Sequence, residues 1–356
     1  MLSTSMLAIS ALLSFTCVKL FSTLAPKLGL LDTPCERKQH NGRVPLIGGI
    51  SIFISFSWTL LLFDYLNTQV ILVLISMSFM VFIGVLDDKY QLSVRARLIG
   101  QVLSASIIVF GLDLYLVSLG DIFGFGELYL GSFGYLVTFI AILGAINAFN
   151  MIDGIDGLLG GLSIVSFTGI LAISYLRDNA ALFNLSAVII VTLVPFMVAN
   201  LGGSKFFKRK VFMGDAGSMF IGLFIVWMLI AGTSGYSFEH GSTFRPVFAL
   251  YIVALPLMDM VAIMYRRAKK GKSPFHPDRN HIHHIFMRAG CSSKQALLSI
   301  ILISQVILVA GLLMEIYLVP DFIMFFIFLF LFYLYNYLIQ HAWRVVKVFR
   351  KLNNVV

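Results

Sequence analysis

A chain of 356 residues that is 59% hydrophobic and only 12% charged cannot coat a soluble domain of its size, where charged residues average about 25%. The same figures exclude disorder, which needs few apolar residues and much charge. With 3 Cys and 29 Gly, disulfide frameworks and collagen-like repeats are excluded as well. A polytopic membrane protein remains, and at ~20 apolar residues per crossing the chain has room for about a dozen spans. The net charge of +9 would suggest nucleic acid in a soluble protein, so the placement of the charges has to decide what it means.

Eleven apolar stretches predict eleven transmembrane helices: Leu2–Thr23, Val44–Phe63, Gln69–Leu86, Leu98–Ser118, Ser132–Phe149, Leu158–Leu176, Leu182–Leu201, Val211–Ile230, Pro246–Tyr265, Gln295–Glu315 and Pro320–His341. Pro26, Pro34, Pro45, Pro246 and Pro320 punctuate their ends, while Pro195 and Pro256 fall inside spans and predict kinks. Runs such as Phe322–Tyr335 are apolar on every side, without the alternation of a membrane barrel. No basic residue precedes the first stretch, so it reads as a true helix and not as a secretory signal. No internal repeat is evident, and residues 1–356 read as a single integral membrane domain.

Eleven spans put the termini on opposite sides. One face collects the segments 24–43, 87–97, 150–157, 202–210 and 266–294 and the tail after 341. Together these hold 23 of the 26 Lys and Arg. The other face holds only Arg177 and Arg245, with eight acids. Basic loops stay in the cytoplasm, so the N-terminus is expected outside and the C-terminus inside. The +9 is then an orientation signal, and nucleic acid is not an expected partner. Cys35 and Cys291 fall on the reducing side, where no disulfide is expected.

The chemistry-bearing residues crowd that basic face. Asp87 and Asp88 follow the third stretch in Gly84-Val-Leu-Asp-Asp. Asp153 and Asp156 lie between the fifth and sixth in Asn147-Ala-Phe-Asn-Met-Ile-Asp-Gly-Ile-Asp-Gly157, and Asp215 opens the eighth in Phe212-Met-Gly-Asp-Ala-Gly-Ser218. Loop acids are ordinarily solvated, and Asp is a common N-cap. Clustered carboxylates also repel one another unless a cation neutralises them. Mg²⁺ suits such a place, because it takes one or two carboxylates and completes its shell with water and phosphate oxygens.

Pro277-Asp-Arg-Asn-His-Ile-His-His284 forms a second cluster. Three of the seven histidines fall within four positions, without Cys or Glu at zinc-ligand spacing. Imidazole N–H groups and Arg279 can bind phosphate oxygens. Acids for a metal and bases for phosphate on one face point to phosphoryl-group transfer. Gly154, Gly157, Gly214 and Gly217 let backbone N–H groups approach an anion, whereas Gly160 and Gly161, inside a span, read as helix packing. Asp259, alone within the ninth stretch, reads as a structural partner of Arg266, two turns on, in preference to a catalytic acid.

Taken together, Gly84-Val-Leu-Asp-Asp, Asn147 to Leu158, Val211-Phe-Met-Gly-Asp-Ala-Gly-Ser and Asp278-Arg-Asn-His-Ile-His-His resemble the motifs of the polyprenyl-phosphate N-acetylhexosamine-1-phosphate transferases, over essentially the whole chain and nearest to the undecaprenyl-phosphate N-acetylglucosamine branch. The resemblance implies an all-α enzyme of the bacterial inner membrane that starts O-antigen or enterobacterial common antigen synthesis. Its substrates would be UDP-N-acetylglucosamine and undecaprenyl phosphate, its products UMP and the lipid diphosphosugar, and its cofactor Mg²⁺ or Mn²⁺. A homodimer is compatible with it. The site would be built from the segments 24–43, 87–97, 147–157, 202–218 and 266–294.

Carried over by motif, Asp215 is the principal metal ligand. Asp87 and Asp88 lie beside the lipid phosphate, one as base and the other, Asp88, assisting the metal. Asn150, Asp153 and Asp156 line the nucleotide side, and Phe212 stacks on uracil or simply packs. Arg279, His281, His283 and His284 hold the diphosphate or sugar, and Lys38, His40 and Arg43 sit near substrate. Direct displacement and a covalent aspartyl intermediate both fit the resemblance. The peptidoglycan branch, which transfers phospho-MurNAc-pentapeptide, typically has three consecutive histidines where this chain has His-Ile-His-His. Two other classes compete. A transporter would place ionisable residues near the midplane, and here nearly all lie at one face. A prenyltransferase with paired Asp-rich helices is echoed by Asp153 and Asp156, but Gln91 stands where the first pair would need a further acid.

Overall fold

Helix forms within all eleven stretches. The computed structural model describes residues 3–33, 42–202, 206–207, 209–234, 242–273 and 281–341. The helices are α1 (Thr4–Leu28), α2 (Gly48–Leu62), α3 (Thr68–Tyr90), α4 (Val94–Ser106), α5 (Phe133–Ile152), α6 (Leu158–Leu176), α7 (Ala180–Asn200), α8 (Gly214–Ser234), α9 (Pro246–Ile252), α10 (Ala254–Lys269), α11 (Ile282–Arg288), α12 (Ser293–Ile316) and α13 (Asp321–Gln340). Their starts follow local chemistry. Ser3 and Asn67 accept from Met6 and Val70 N–H at the heads of α1 and α3, and Ser292 with Gln295 makes a reciprocal capping box on α12.

Among the described residues nine helices are long and apolar enough to cross a membrane, or ten if the bent pair α9–α10 counts as one. The protein is thus an all-α polytopic membrane protein. Three of the eleven stretches differ from a plain span. α2 has 15 residues and rises about 22 Å, short of the ~30 Å hydrocarbon core. The ninth stretch is broken, with α9 and α10 meeting at 81°. Pro256 causes no kink within a helix, because it lies in the first turn of α10, where its missing N–H is not needed. α7 runs on through Pro195. The fourth stretch stops early: α4 passes into a π-helical turn, Ile107–Gly111, and 112–118 is irregular. The expectation of helix alone is amended by a two-residue antiparallel pair, β1 (Leu31–Asp32) with β2 (Val44–Pro45).

α8 is the post around which the rest stands. Every residue from Ala216 to Gly232 is buried, with α2, α3, α5 and α6 packed on it. α13 is the opposite case, burying only Met324, Phe328 and Ile339. Its exposed Phe326, Phe330 and Tyr333 suit a lipid surface.

Glycines set how closely the neighbours come. A Cβ on Gly84 of α3 would lie 2.3 Å from Ala216 Cα, and one on Gly49 of α2 would lie 2.2 Å from Gly217 Cα. Gly160 and Gly161 press on Met197 and Ile301, the packing role read for them. At the end remote from the acid motifs, Arg245 ties α12 to α13 through Glu315 (2.9 Å) and Asp321 (2.7 Å).

The α3–α8 contact gives a direct test. Gly84→Ala forces the two helices apart and should cost about 1–3 kcal/mol, read as a lower thermal midpoint of detergent-solubilised protein. Gly144→Ala, whose Cβ would meet nothing nearer than Met260 Cε at 4.0 Å, should leave the midpoint unchanged or slightly raised.

Candidate active site

At one end of the bundle the tails of α3 and α5 meet the head of α8. α3 continues to Tyr90, so Asp87 and Asp88 belong to its last turns and not to a loop after it. Helical spacing sends the two carboxylates to different partners. Asp88 turns to α8, where Oδ1 accepts from Asp215 N (2.9 Å) and Oδ2 from Ala216 N (3.3 Å). It thereby caps a helix to which it does not belong. Gly214, at φ +75°, makes the turn into α8, and a Cβ there would meet Asp88 Oδ2 at 2.6 Å. Asp87 is buried and turns the other way. Its Oδ1 accepts from Leu92 N (2.8 Å) and its Oδ2 from Arg97 of α4 (3.1 Å).

Asn150, in the last turn of α5, donates to Asp215 Oδ1 (2.7 Å) and to Ser218 Oγ (2.8 Å). Asp88, Asp215 and Asn150 thus form one contiguous group. Among the described residues no Lys or Arg forms an ion pair with Asp88 or Asp215, and no three His, Cys, Asp or Glu side chains converge as a ready metal cage. Two neighbouring carboxylates without a basic partner still suit Mg²⁺, which needs only one or two. The anion site expected at the head of α8 is not open, because Asp88 already takes the N–H groups there.

The other motifs are tied to this group through backbone. Phe212 pairs in parallel with Leu46: its N–H donates to Pro45 O (2.8 Å), and its carbonyl accepts from Gly48 N (2.9 Å). Met213 O likewise accepts from Gly49 N (2.9 Å). The orphan donors at the head of α2 are satisfied in this way, and the chain just after Arg43 is locked to the Asp215 loop. Arg43 itself is exposed. Asn200, buried at the end of α7, accepts from Gly157 N (2.6 Å) and donates to Val211 O (2.8 Å). Asp156 pairs with Lys210, whose ammonium stands 5.2 Å from the Phe212 ring centroid. Asp153 ends α5 as its C-cap and is exposed.

The histidine segment joins from the other side. The His283 ring lies against Gly154, where a Cβ would come within 2.1 Å of it. It is parallel to His281 at 5.8 Å and tilted against His284 at 4.2 Å. Burial pushes the His283 imidazole down to about 3, helped by the neighbouring His284 and His281 and opposed by Asp259. His283 is therefore neutral at physiological pH. The partners found for Asp259 are His281 (2.7 Å), Ile282 N (3.1 Å) and Tyr335 (2.6 Å), which corrects the expected partner while keeping the structural role. Lys38, His40 and Arg279 lie outside the described residues.

Sequence reasoning passed over Arg97, Lys210, Asn200 and Tyr335. Arg97 and Lys210 entered only as charges. Asn200 had a faint signal, a carboxamide closing an apolar span. Tyr335 had none, because it sits in an unbroken apolar run.

Fold and site define a multi-pass membrane protein with an acid-rich polar group at one end of its bundle, built from separate motifs. Residues 70–233 match the model of glycosyl transferase family 4. The undecaprenyl-phosphate alpha-N-acetylglucosaminyl 1-phosphate transferase of Escherichia coli K12 is 44% identical over 344 residues, covering 95% of this chain and 92% of that protein. Those named alike from Salmonella typhi (43%, covering 97% and 94%) and Haemophilus influenzae (44%, covering 92% of each) agree. The chain belongs to the polyprenyl-phosphate N-acetylhexosamine-1-phosphate transferase family.

The depressed His283 pKa has a consequence for stability. The unfolded chain takes up this proton near the ordinary 6.5, and the folded chain refuses it down to about 3. Stability from this residue is intact above about pH 6.5 and falls as the pH drops toward 3, by on the order of 1 kcal/mol per unit. His283→Asn should narrow the difference between thermal midpoints measured at pH 7.5 and pH 5.0.

Proposed function

We propose that the protein transfers N-acetylglucosamine 1-phosphate from UDP-N-acetylglucosamine to undecaprenyl phosphate, releasing UMP, at the cytoplasmic face of the bacterial inner membrane. The observation that carries the reading is the meeting of Asp88, Asp215 and Asn150 at one bundle end. Support comes from whole-length likeness to relatives named for this transfer. The distribution of Lys and Arg supports eleven crossings, with α2 and the broken α9–α10 counted, the N-terminus outside and the C-terminus inside.

In this reaction an oxygen of the lipid phosphate attacks the phosphorus that bears the sugar. The bond from that phosphorus to the bridging oxygen breaks, and its electron pair leaves with UMP. A phosphate monoester has a second pKa of about 6, so the nucleophile is largely ionised at neutral pH and needs no obligatory base. Asp87 fits a positioning role better, since it is paired with Arg97, which it holds in place. Arg97 is then a cation available to the lipid phosphate.

Asp215 and Asp88 would hold Mg²⁺ or Mn²⁺, with Asp215 Oδ1 oriented by Asn150. The ion would supply charge neutralisation on the diphosphate and on the departing UMP. Lys210, paired with Asp156 and close to the Phe212 ring, would with them serve the nucleotide, and the histidines the diphosphate or sugar. The transfer is alignment and charge compensation more than covalent chemistry by the protein.

Purified protein with Mg²⁺ and undecaprenyl phosphate should release UMP from UDP-N-acetylglucosamine. Absence of UMP across a panel of UDP-sugars would refute the reading. Asp215→Asn should lose turnover by about 100-fold or more while eluting as folded protein; near-normal turnover would remove it from the metal site.

A further inference from the structure

We infer that Asp259 of α10, with Tyr335 of α13, is a positioning residue that holds His281 in one tautomer, with the proton on Nδ1 and the Nε2 lone pair left to accept a hydrogen bond from a hydroxyl or N–H of the sugar. Asp259 is 1% exposed, inside a helix of a membrane bundle, where a carboxylate is costly unless it is partnered. Three donors meet it. Oδ2 faces His281 Nδ1 at 2.7 Å, while Oδ1 takes Ile282 N at 3.1 Å and the Tyr335 hydroxyl at 2.6 Å. An ionised carboxylate only accepts, so the His281 nitrogen facing it carries the hydrogen. The Ile282 bond secures the same place from the backbone, because His281 is the N-cap of α11 and Ile282 its first residue.

Each contact has a separate effect. The Ile282 bond fixes where α11 begins. The His281 bond fixes the ring's orientation and tautomer, as carboxylates do for functional histidines. Tyr335 shares Oδ1 and thereby makes the last described helix part of the site's support. The His281 ring is parallel to that of His283, which lies on Gly154 beside Asp153. Orientation set at Asp259 thus reaches the nucleotide-side loop. The tautomer stands on the hydrogen bonds alone; its catalytic consequence rests on the transfer reading above.

Asparagine at position 259 separates support from tautomer control. Its oxygen, placed as Oδ1, still accepts from Ile282 and Tyr335. Its amide, placed as Oδ2, donates to His281 Nδ1, which must then accept and move its proton to Nε2. The packing is kept and the tautomer is inverted.

The experiment uses full-length protein with ¹⁵N-histidine in lipid nanodiscs, with His281 assigned by its loss in His281→Gln. Wild type should show the Nδ1–H tautomer and Asp259→Asn the Nε2–H tautomer. Asp259→Asn should lower kcat by about 10- to 100-fold with KM for UDP-N-acetylglucosamine little changed, and Tyr335→Phe should lower it less. In the His281→Gln background, Asp259→Asn should cost almost nothing more, since it acts through that ring. An Nε2–H tautomer in wild type, an undiminished kcat in Asp259→Asn, or an equal loss with His281 already removed would overturn the inference. Should Asp259→Asn not fold, the wild-type spectrum and Tyr335→Phe decide. Should wild type release no UMP, the transfer reading fails, while the spectrum still decides the tautomer.

Discussion

The closeness of α3 to α8 is the constraint on which the site depends. With no Cβ at Gly84, the last turns of α3 lie against Ala216, and Asp88 reaches the first free N–H groups of α8. A helix start carries partial positive charge and unsatisfied donors, so the N–H groups of α8 give this carboxylate hydrogen-bond partners that offset part of the cost of its burial. The same contact closes that helix start to any substrate phosphate. In the proposed transfer, the charge on two anionic substrates would be compensated by a divalent ion at Asp88 and Asp215 and by side chains such as Arg97 and Lys210.

Around that contact the polar groups are fastened to one another. The chain before α2 donates to carbonyls just before α8, Asn200 bridges the starts of α6 and α8, and Asp259 anchors the histidine segment. Buried polar groups need partners, and here the partners lie on different motifs. Each motif is held by another, so a change in one loop is felt across the site. At the remote end, the Arg245–Glu315–Asp321 network secures α12 to α13 far from the chemistry.

Much of this was legible in the residues themselves. Apolar runs of about 20 residues in an apolar solvent can satisfy their backbone only as helices, so element type and order followed from composition. Where a run was interrupted, reading failed. The break between α9 and α10 has Pro256 beside it, yet a proline within an apolar run signals a kink and a helix start equally well. The fourth stretch continued in composition to Ser118, but not in helix beyond Gly111. In the site, Asp215, Asn150 and Asp88 were visible because acids and amides are conspicuous at the end of an apolar helix. Tyr335 was invisible because an aromatic in an aromatic run carries no local mark.

The sequence by itself pointed to the class: a helical membrane protein whose Asp motifs, whose histidine cluster at 281–284 and 23 of whose 26 Lys and Arg fall in segments expected at one face. Hydropathy and charge are additive along a chain, and the family motifs are contiguous words in it. Only the tertiary structure decided partnership. That Asp87 belongs to Arg97 and Asp88 to α8, though they are adjacent, follows from the 100° that separates consecutive helical residues and from which neighbour stands on each side. That Asp259 serves His281 and Tyr335 follows from helices 22 and 76 residues away in the chain being brought to one carboxylate. Such pairings arise because a buried polar group left without a partner is costly, and only the packed bundle determines which partner is within reach.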